Sequence, residues 1–326
     1  MEKGRGGARI VTLGEVVADI YRNEADSAVE LPMTARPGGA PANVAVAAAR
    51  LGAGAAFLGS VGDDLFGDFI LEALSAEGVE VEGVVRQKTP IRTSLAFVEI
   101  FPDGDREFTF YRSRPAADEL LAPDDISSGV LAGASFINFG SIPLLTEPAR
   151  SAARSLAELA KKSGVPFAFD VNYRAHLWPD DATARETVGP FLELSDIVKL
   201  SDDELAPLLA VSDPDEAADA LLGRGVSLVL VSLGPDGAFY ATKDFRGKVT
   251  SVEVEAVDAT GAGDAFLAAT LVRLAESGGD LTDEGLVCEA VRNGAIAGAI
   301  ACTGFGAMGP LPTKKELEHS LQDDAL

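Results

Sequence analysis

Two glycine-rich segments carry most of the chemistry this sequence offers. In VDATGAGDAFLAA, residues 257–269, a strand end is expected to run into a flexible turn and then a helix of small apolar residues. Gly261, Ala262 and Gly263 put uncluttered backbone N–H groups at the helix start, where they can be aimed at an anion. Asp264 falls just inside that helix. A carboxylate there lies close to an incoming phosphoryl group, so it can take the proton of an attacking hydroxyl while the amides stabilise the transferred phosphate. An Asp that merely complements the helix dipole would use the same residues, and this segment alone leaves both readings open.

The second segment, RPGGAPANVAVAAARLG at 36–52, sets Gly38 and Gly39 ahead of a helix with one polar residue, Asn43, on an otherwise small apolar surface. The glycines permit close approach of a ligand to backbone, and Asn43 offers a donor and an acceptor to sugar hydroxyls, or packs as a cap. Asp19 follows the first strand, at the carboxyl end where open α/β sheets place ligands. FAFDVNYRAHLWPD (167–180) ends an apolar strand with Asp170, Asn172 and Arg174, the last a source of local positive charge for a phosphate or of a surface ion pair. VKLSDDE (198–204) places Glu204 either in the water shell of a magnesium ion or in an acidic helix N-terminus. VSLGPDGAFY (231–240) reads as strand, turn with Gly234 and Gly237, then strand.

The elements that must position these residues alternate. Apolar β-type runs at 10–13, 55–59, 136–139, 167–170, 197–200 and 228–233 are separated by helix-period segments, among them 42–51, 66–77, 147–162 and 216–222. That order predicts an α/β fold, a mostly parallel central sheet flanked by helices. Two stretches break it: residues 16–37, and 91–111, which alternates around PDGD at 102–105 like a hairpin. They are expected either to pair as a small separate sheet or to be edge excursions.

Composition narrows the function. A formal charge of −24, from 27 Lys plus Arg against 51 Asp plus Glu, removes any global attraction for nucleic acid, so an anionic substrate needs positive potential built locally. Cys288 and Cys302 read as small core residues of one helical stretch in a reducing compartment. With no transmembrane run and no signal-type segment, the chain is expected to be cytoplasmic and away from membranes. GFGAMG at 304–309 follows a helix and leads into Pro310, the wrong order for a dinucleotide fingerprint, so an NAD-dependent dehydrogenase is set aside. There is no GxxxxGK[ST] and there are only two histidines, His176 and His319, which argues against a Walker-type ATP site and a His-rich zinc centre.

Taken together, PGGAPANVA (37–45) and DATGAGDAF (258–266), in this order and separation, resemble the two signatures of the ribokinase-like sugar kinases, the PfkB family. The resemblance covers nearly the whole chain. FYRSRPAADELL (110–121), NFGSIPLLTEPARSA (138–152) and FDVNYRAHLWP (169–179) look particularly like its fructokinase branch. It implies a single kinase domain over 1–326 with a small β lid drawn from about 16–37 and 91–114, sugar between lid and body, and ATP along the carboxyl edge of the sheet.

By position, Asp19, Gly38, Gly39 and Asn43 match sugar-binding residues, with Phe97, Phe110 and Arg112 covering the sugar and Arg174 nearby. Asp264 matches the catalytic base, and Gly261, Ala262 and Gly263 the anion hole. Ser201, Ser232, Gly234 and Gly237 match the nucleotide site, and Glu204 a water-mediated magnesium contact. Asp258, with backbone carbonyls of Thr260, Ala301, Gly304 and Gly306, resembles the family's potassium loop. Ser201 stands where the family's NxxE has Asn, Ala259 where Thr is usual, and Ala295 where Asn often lies near the adenine. The expected reaction is ATP-dependent phosphorylation of a ketohexose primary hydroxyl, fructose to fructose 6-phosphate, with ATP, Mg2+ and K+ as cofactors. A 2-keto-3-deoxygluconate kinase, whose carboxylate Arg112 and Arg174 would receive, and an idle sugar sensor are the alternatives. Exposed lid edges offer a surface for a homodimer.

Overall fold

The computed structural model describes residues 7–23, 29–100 and 106–323. Its strands are β1 (Arg9–Leu13), β2 (Val17–Arg22), β3 (Met33–Gly38), β4 (Gly54–Gly62), β5 (Val79–Glu80), β6 (Val84–Gln87), β7 (Leu95–Ile100), β8 (Arg106–Tyr111), β9 (Phe136–Phe139), β10 (Phe167–Asp170), β11 (Ile197–Ser201), β12 (Leu228–Ser232), β13 (Ala238–Ala241) and β14 (Arg246–Val249). The α-helices are α1 (Ala40–Arg50), α2 (Leu65–Ala76), α3 (Ala149–Ser163), α4 (Asp181–Leu192), α5 (Asp202–Leu209), α6 (Pro214–Leu222), α7 (Ala262–Glu276), α8 (Glu284–Ala301) and α9 (Lys314–Asp323).

The main sheet runs β14-β13-β12-β11-β10-β9-β1-β4-β5, with β6 also on β4. It is parallel from β12 through β4 and turns antiparallel only at β13 and β14. Burial on both faces explains why its strands read as continuous apolar runs. Alternate residues feed two cores: Ile10, Leu228 and Leu230 join α1, α7 and α8 on one side, while Val11, Val229 and Val231 join α3, α4 and α6 on the other. In the second core Phe139 stacks on Phe167 with centroids 4.2 Å apart, and Phe169 and Phe191 close around them.

The two exceptional stretches do pair. β3-β2-β7-β8 form a separate four-stranded sheet, in which β2 and β7 run parallel and the 91–111 stretch is an antiparallel pair. The PDGD turn expected between its strands lies outside the described residues. Two local expectations change. Residues 250–258 form no strand before the second glycine-rich turn; there the amides of Val257 and Asp258 bond to the Cys302 carbonyl instead. Cys288 and Cys302 are half-buried free thiols; Cys288 packs against the core from within α8, whereas Cys302 falls just past the end of that helix.

Candidate active site

The carboxyl ends of the parallel strands, the start of α7 and one face of the small sheet enclose a cavity of about 830 Å³. This is the crevice where open α/β sheets hold ligands. Gly39 admits the chain to α1 at φ 111, where a Cβ would stand 2.5 Å from the Glu15 carbonyl. Gly38 is equally constrained, since a Cβ there would come within 2.2 Å of Asp19 Oδ2. Both glycines therefore make room for neighbours that line the cavity.

Asp264, the third residue of α7, is buried and accepts a hydrogen bond from Asn43 Nδ2 at 2.7 Å. The small residues of α1 and α7 let the two helices meet in one core. Asn43 Oδ1 is buried without a protein partner, so its acceptor remains for a ligand. Burial and the nearby Asp170 push Asp264 up to about 6, while Asn43, Lys199 and Arg174 pull it back. Such a carboxylate is ionised at neutral pH yet basic enough to take a proton.

Behind it lies a buried ion pair, Lys199 Nζ at 3.0 Å from Asp170 Oδ1. Burial works against the Lys199 charge, but Asp170 and Glu204 hold its pKa above the ordinary lysine value. A Cβ at Gly263 would come within 2.9 Å of Lys199 Nζ, so the glycine lets the helix start sit against the ammonium. Gly261 caps α7 at φ 84, and a Cβ there would strike the Ala307 carbonyl at 2.6 Å. Gly261 and Gly263 line the cavity; the Ala262 N–H instead closes onto the Ala259 carbonyl.

Glu204 completes a capping box at α5: Oε2 accepts from Ser201 N at 2.9 Å, and Oε1 from Tyr173 N. Burial pushes its carboxyl up against the opposing pull of Lys199. Asp258 bridges two loops, accepting from Thr260 N at 2.7 Å and Gly306 N at 2.8 Å. Asp19, at the sugar-binding position of the resemblance, is pushed up to about 7 by burial and by Asp258.

Of the predicted site residues, Asp19, Gly39, Asn43, Phe110, Arg112, Arg174, Ser201, Glu204, Ser232, Asp258, Thr260, Gly261, Gly263 and Asp264 line the cavity. Gly38, Gly234, Gly237, Ala262, Ala301, Gly304 and Gly306 do not. Gly237 meets a backbone need, since a Cβ would stand 2.0 Å from the Val249 carbonyl. Phe97 points the other way. Strand alternation puts Asp19, Ala96 and Phe110 on the cavity face, and Phe97 on the face packed against the core, beside Tyr111 at 4.8 Å.

Sequence reasoning missed Glu15, Asp118, Lys199 and His176, all in the lining. His176 stacks on Phe110 across the two sheets with centroids 6.1 Å apart. Glu15 keeps some exposure as a residue, but its Oε2 is sealed from solvent without a partner. Burial, reinforced by Asp118 and Asp264, raises its carboxyl to about 8.

A buried carboxylate beside a glycine-lined helix start, in a crevice with room for a nucleotide and a small polyol, is the equipment of a phosphotransferase that has no Walker loop. The chain belongs to the pfkB family of carbohydrate kinases, whose family model matches residues 8–314. It is 41% identical to the probable fructokinase-4 of Arabidopsis thaliana over 317 residues, 96% of each protein. It also superposes on the ATP-bound fructokinase of Xylella fastidiosa with a TM-score of 0.88, at 31% identity and covering 98% of this chain and 99% of that one. The Vibrio cholerae O395 fructokinase, solved with fructose, ADP and calcium, gives a TM-score of 0.83 at 33% identity, over 96% and 98% of the two chains.

Proposed function

We propose that this kinase transfers the γ-phosphate of MgATP to the primary hydroxyl of a ketohexose, converting D-fructose to fructose 6-phosphate. The observation that carries the reading is Asp264: a buried carboxylate, oriented by Asn43, at the junction of the sugar-facing segments and the α7 start. The fructokinase relatives support fructose as the acceptor.

Asp19, Asn43, Gly39 and Arg112 bind the sugar, and Phe110 with the small sheet closes over it as a lid. Asp264 accepts the hydroxyl proton as the oxygen attacks phosphorus. The amides of Gly261 and Gly263, with Arg174, face the transferring group, and catalysis is otherwise positioning and exclusion of water. Ser201 and Ser232 lie on the nucleotide side. Glu204 would hold a water of the shell of an ATP-bound magnesium ion: each of its oxygens takes one backbone N–H, which leaves a second lone pair for that water. Beside the loops that Asp258 ties together, the backbone carbonyls of Thr260, Ala301, Gly304 and Gly306 would hold a hard monovalent cation such as potassium. A cytoplasmic setting and a homodimer through the lid complete the proposal.

ADP release measured over a sugar panel tests it, with D-fructose expected to be preferred. Asp264→Asn is expected to lose roughly 10²–10⁴-fold in kcat while still binding ATP and sugar, the range a general base contributes. Undiminished turnover in that folded variant sinks the reading.

A further inference from the structure

Arg112 is one of three cations lining the cavity, with Arg174 and Lys199, and it is the kind of group that receives a carboxylate in bidentate fashion. Its Nη2 is already engaged, while its Nε is buried without a partner. Its Nη2 pairs with Asp118 Oδ2 and lies 3.9 Å from Glu119 Oε1. Asp118 is itself held by Ser94 Oγ at 2.7 Å and is only 8% exposed. Glu15 lies within the field of Asp118, and Asp19 lines the same end of the cavity. An acceptor entering beside Arg112 thus meets a cation whose charge one buried acid already neutralises.

We propose that Asp118 determines acceptor specificity: by holding Arg112 in a buried ion pair, it keeps the sugar end of the cavity for neutral polyols and shuts out sugar acids. This inference rests on the ketohexose kinase reading and deepens it. A sugar-acid carboxylate has to compete with Asp118 for the guanidinium, which disfavours its binding. A neutral sugar asks for hydrogen bonds only. The reaction is unchanged for either acceptor: the hydroxyl oxygen bonds to phosphorus, ADP leaves and the proton goes to Asp264. Asp118 has a second, geometric effect, since Ser94 leads into β7 and Arg112 follows β8, so one carboxylate ties both roots of the small sheet.

The test compares kcat/KM for D-fructose and for 2-keto-3-deoxygluconate, by ADP release, in the wild type, Asp118→Asn and Asp118→Asn/Arg112→Gln. With Arg112 released, the sugar-acid to fructose ratio is expected to rise about tenfold or more, the scale of a charge-assisted hydrogen bond. The double variant should lose that gain. A purely structural role for Asp118 lowers both substrates alike, and an unchanged ratio overturns the proposal, as does a gain that survives in the double variant. Should Asp118→Asn fail to melt cooperatively, Asp118→Ser carries the same comparison. Absence of fructose turnover in the wild type would instead refute the underlying reading.

Discussion

The hydrogen bond from Asn43 to Asp264 makes a quantitative claim about pH. Asp264 has to be ionised to accept a proton, so kcat/KM should fall on the acid side with a midpoint near its pKa, about 6. Asn43 Nδ2 donates more strongly to the charged form than to the neutral acid, and it is among the groups that lower this pKa. Replacing Asn43 by Leu keeps the branching at Cγ, adds some volume against α7 and deletes the donor. A hydrogen bond to a charged group contributes about 1.5–3 kcal/mol, and each pKa unit corresponds to roughly 1.4 kcal/mol. The acid limb should therefore move upward by about one to two units, to between roughly pH 7 and 8. At pH 7 that change alone takes the ionised fraction from about nine-tenths to roughly a quarter for a midpoint of ~7.5. The assay is ADP release at subsaturating fructose from pH 5 to 9. The variant will also bind sugar less well, but that lowers the whole curve without displacing it, and titration of ATP is common to both proteins. Coincident limbs, or a variant limb at lower pH, would refute the assigned role of Asn43.

Two further outcomes follow from buried charge. Burial raises Glu15 from 4.5 to about 8, so across that window the folded protein holds a proton the unfolded chain has lost, and stability declines as pH rises; Glu15→Gln should melt increasingly above the wild type from pH 5 to pH 8, and a pH-independent difference in Tm would contradict it. Lys199→Met strands Asp170 as an unpaired buried charge and should cost about 3–5 kcal/mol in urea unfolding, with Asp170→Asn in the same chain restoring part of that; a double variant as unstable as the single would show that the pair is not what matters.

Much of the frame was legible because burial on both faces leaves an unmistakable mark: Phe136–Phe139 and Phe167–Asp170 fall where their apolar runs placed them. The position of Asp264 was legible too: it stands in the cavity just inside the helix whose glycine-rich start the sequence marks. Lys199 was not, because a charged residue inside VKLS reads as an interruption until Asp170, 29 positions earlier, arrives beside it on the neighbouring strand. Asp118 was hidden for the same reason, its partners Ser94 and Arg112 being brought together only when the small sheet closes its roots. Phe97 shows the opposite error. An aromatic in a strand of the small sheet suggests contact with sugar, yet the period-two alternation that puts Ala96 in the cavity turns Phe97 toward the core.

The cavity walls come from two independent sources. Val17, Asp19, Ala96 and Phe110 come from the small sheet, with Arg112 just beyond it, while Lys199, Ser201, Ser232, Gly263 and Asp264 come from the main body. Residues of the small sheet can therefore be exchanged to alter one wall of the cavity, with the main-body wall that carries Asp264 left as it is. A scaffold divided in this way can give rise to kinases for many alcohols without reinventing how phosphorus is moved.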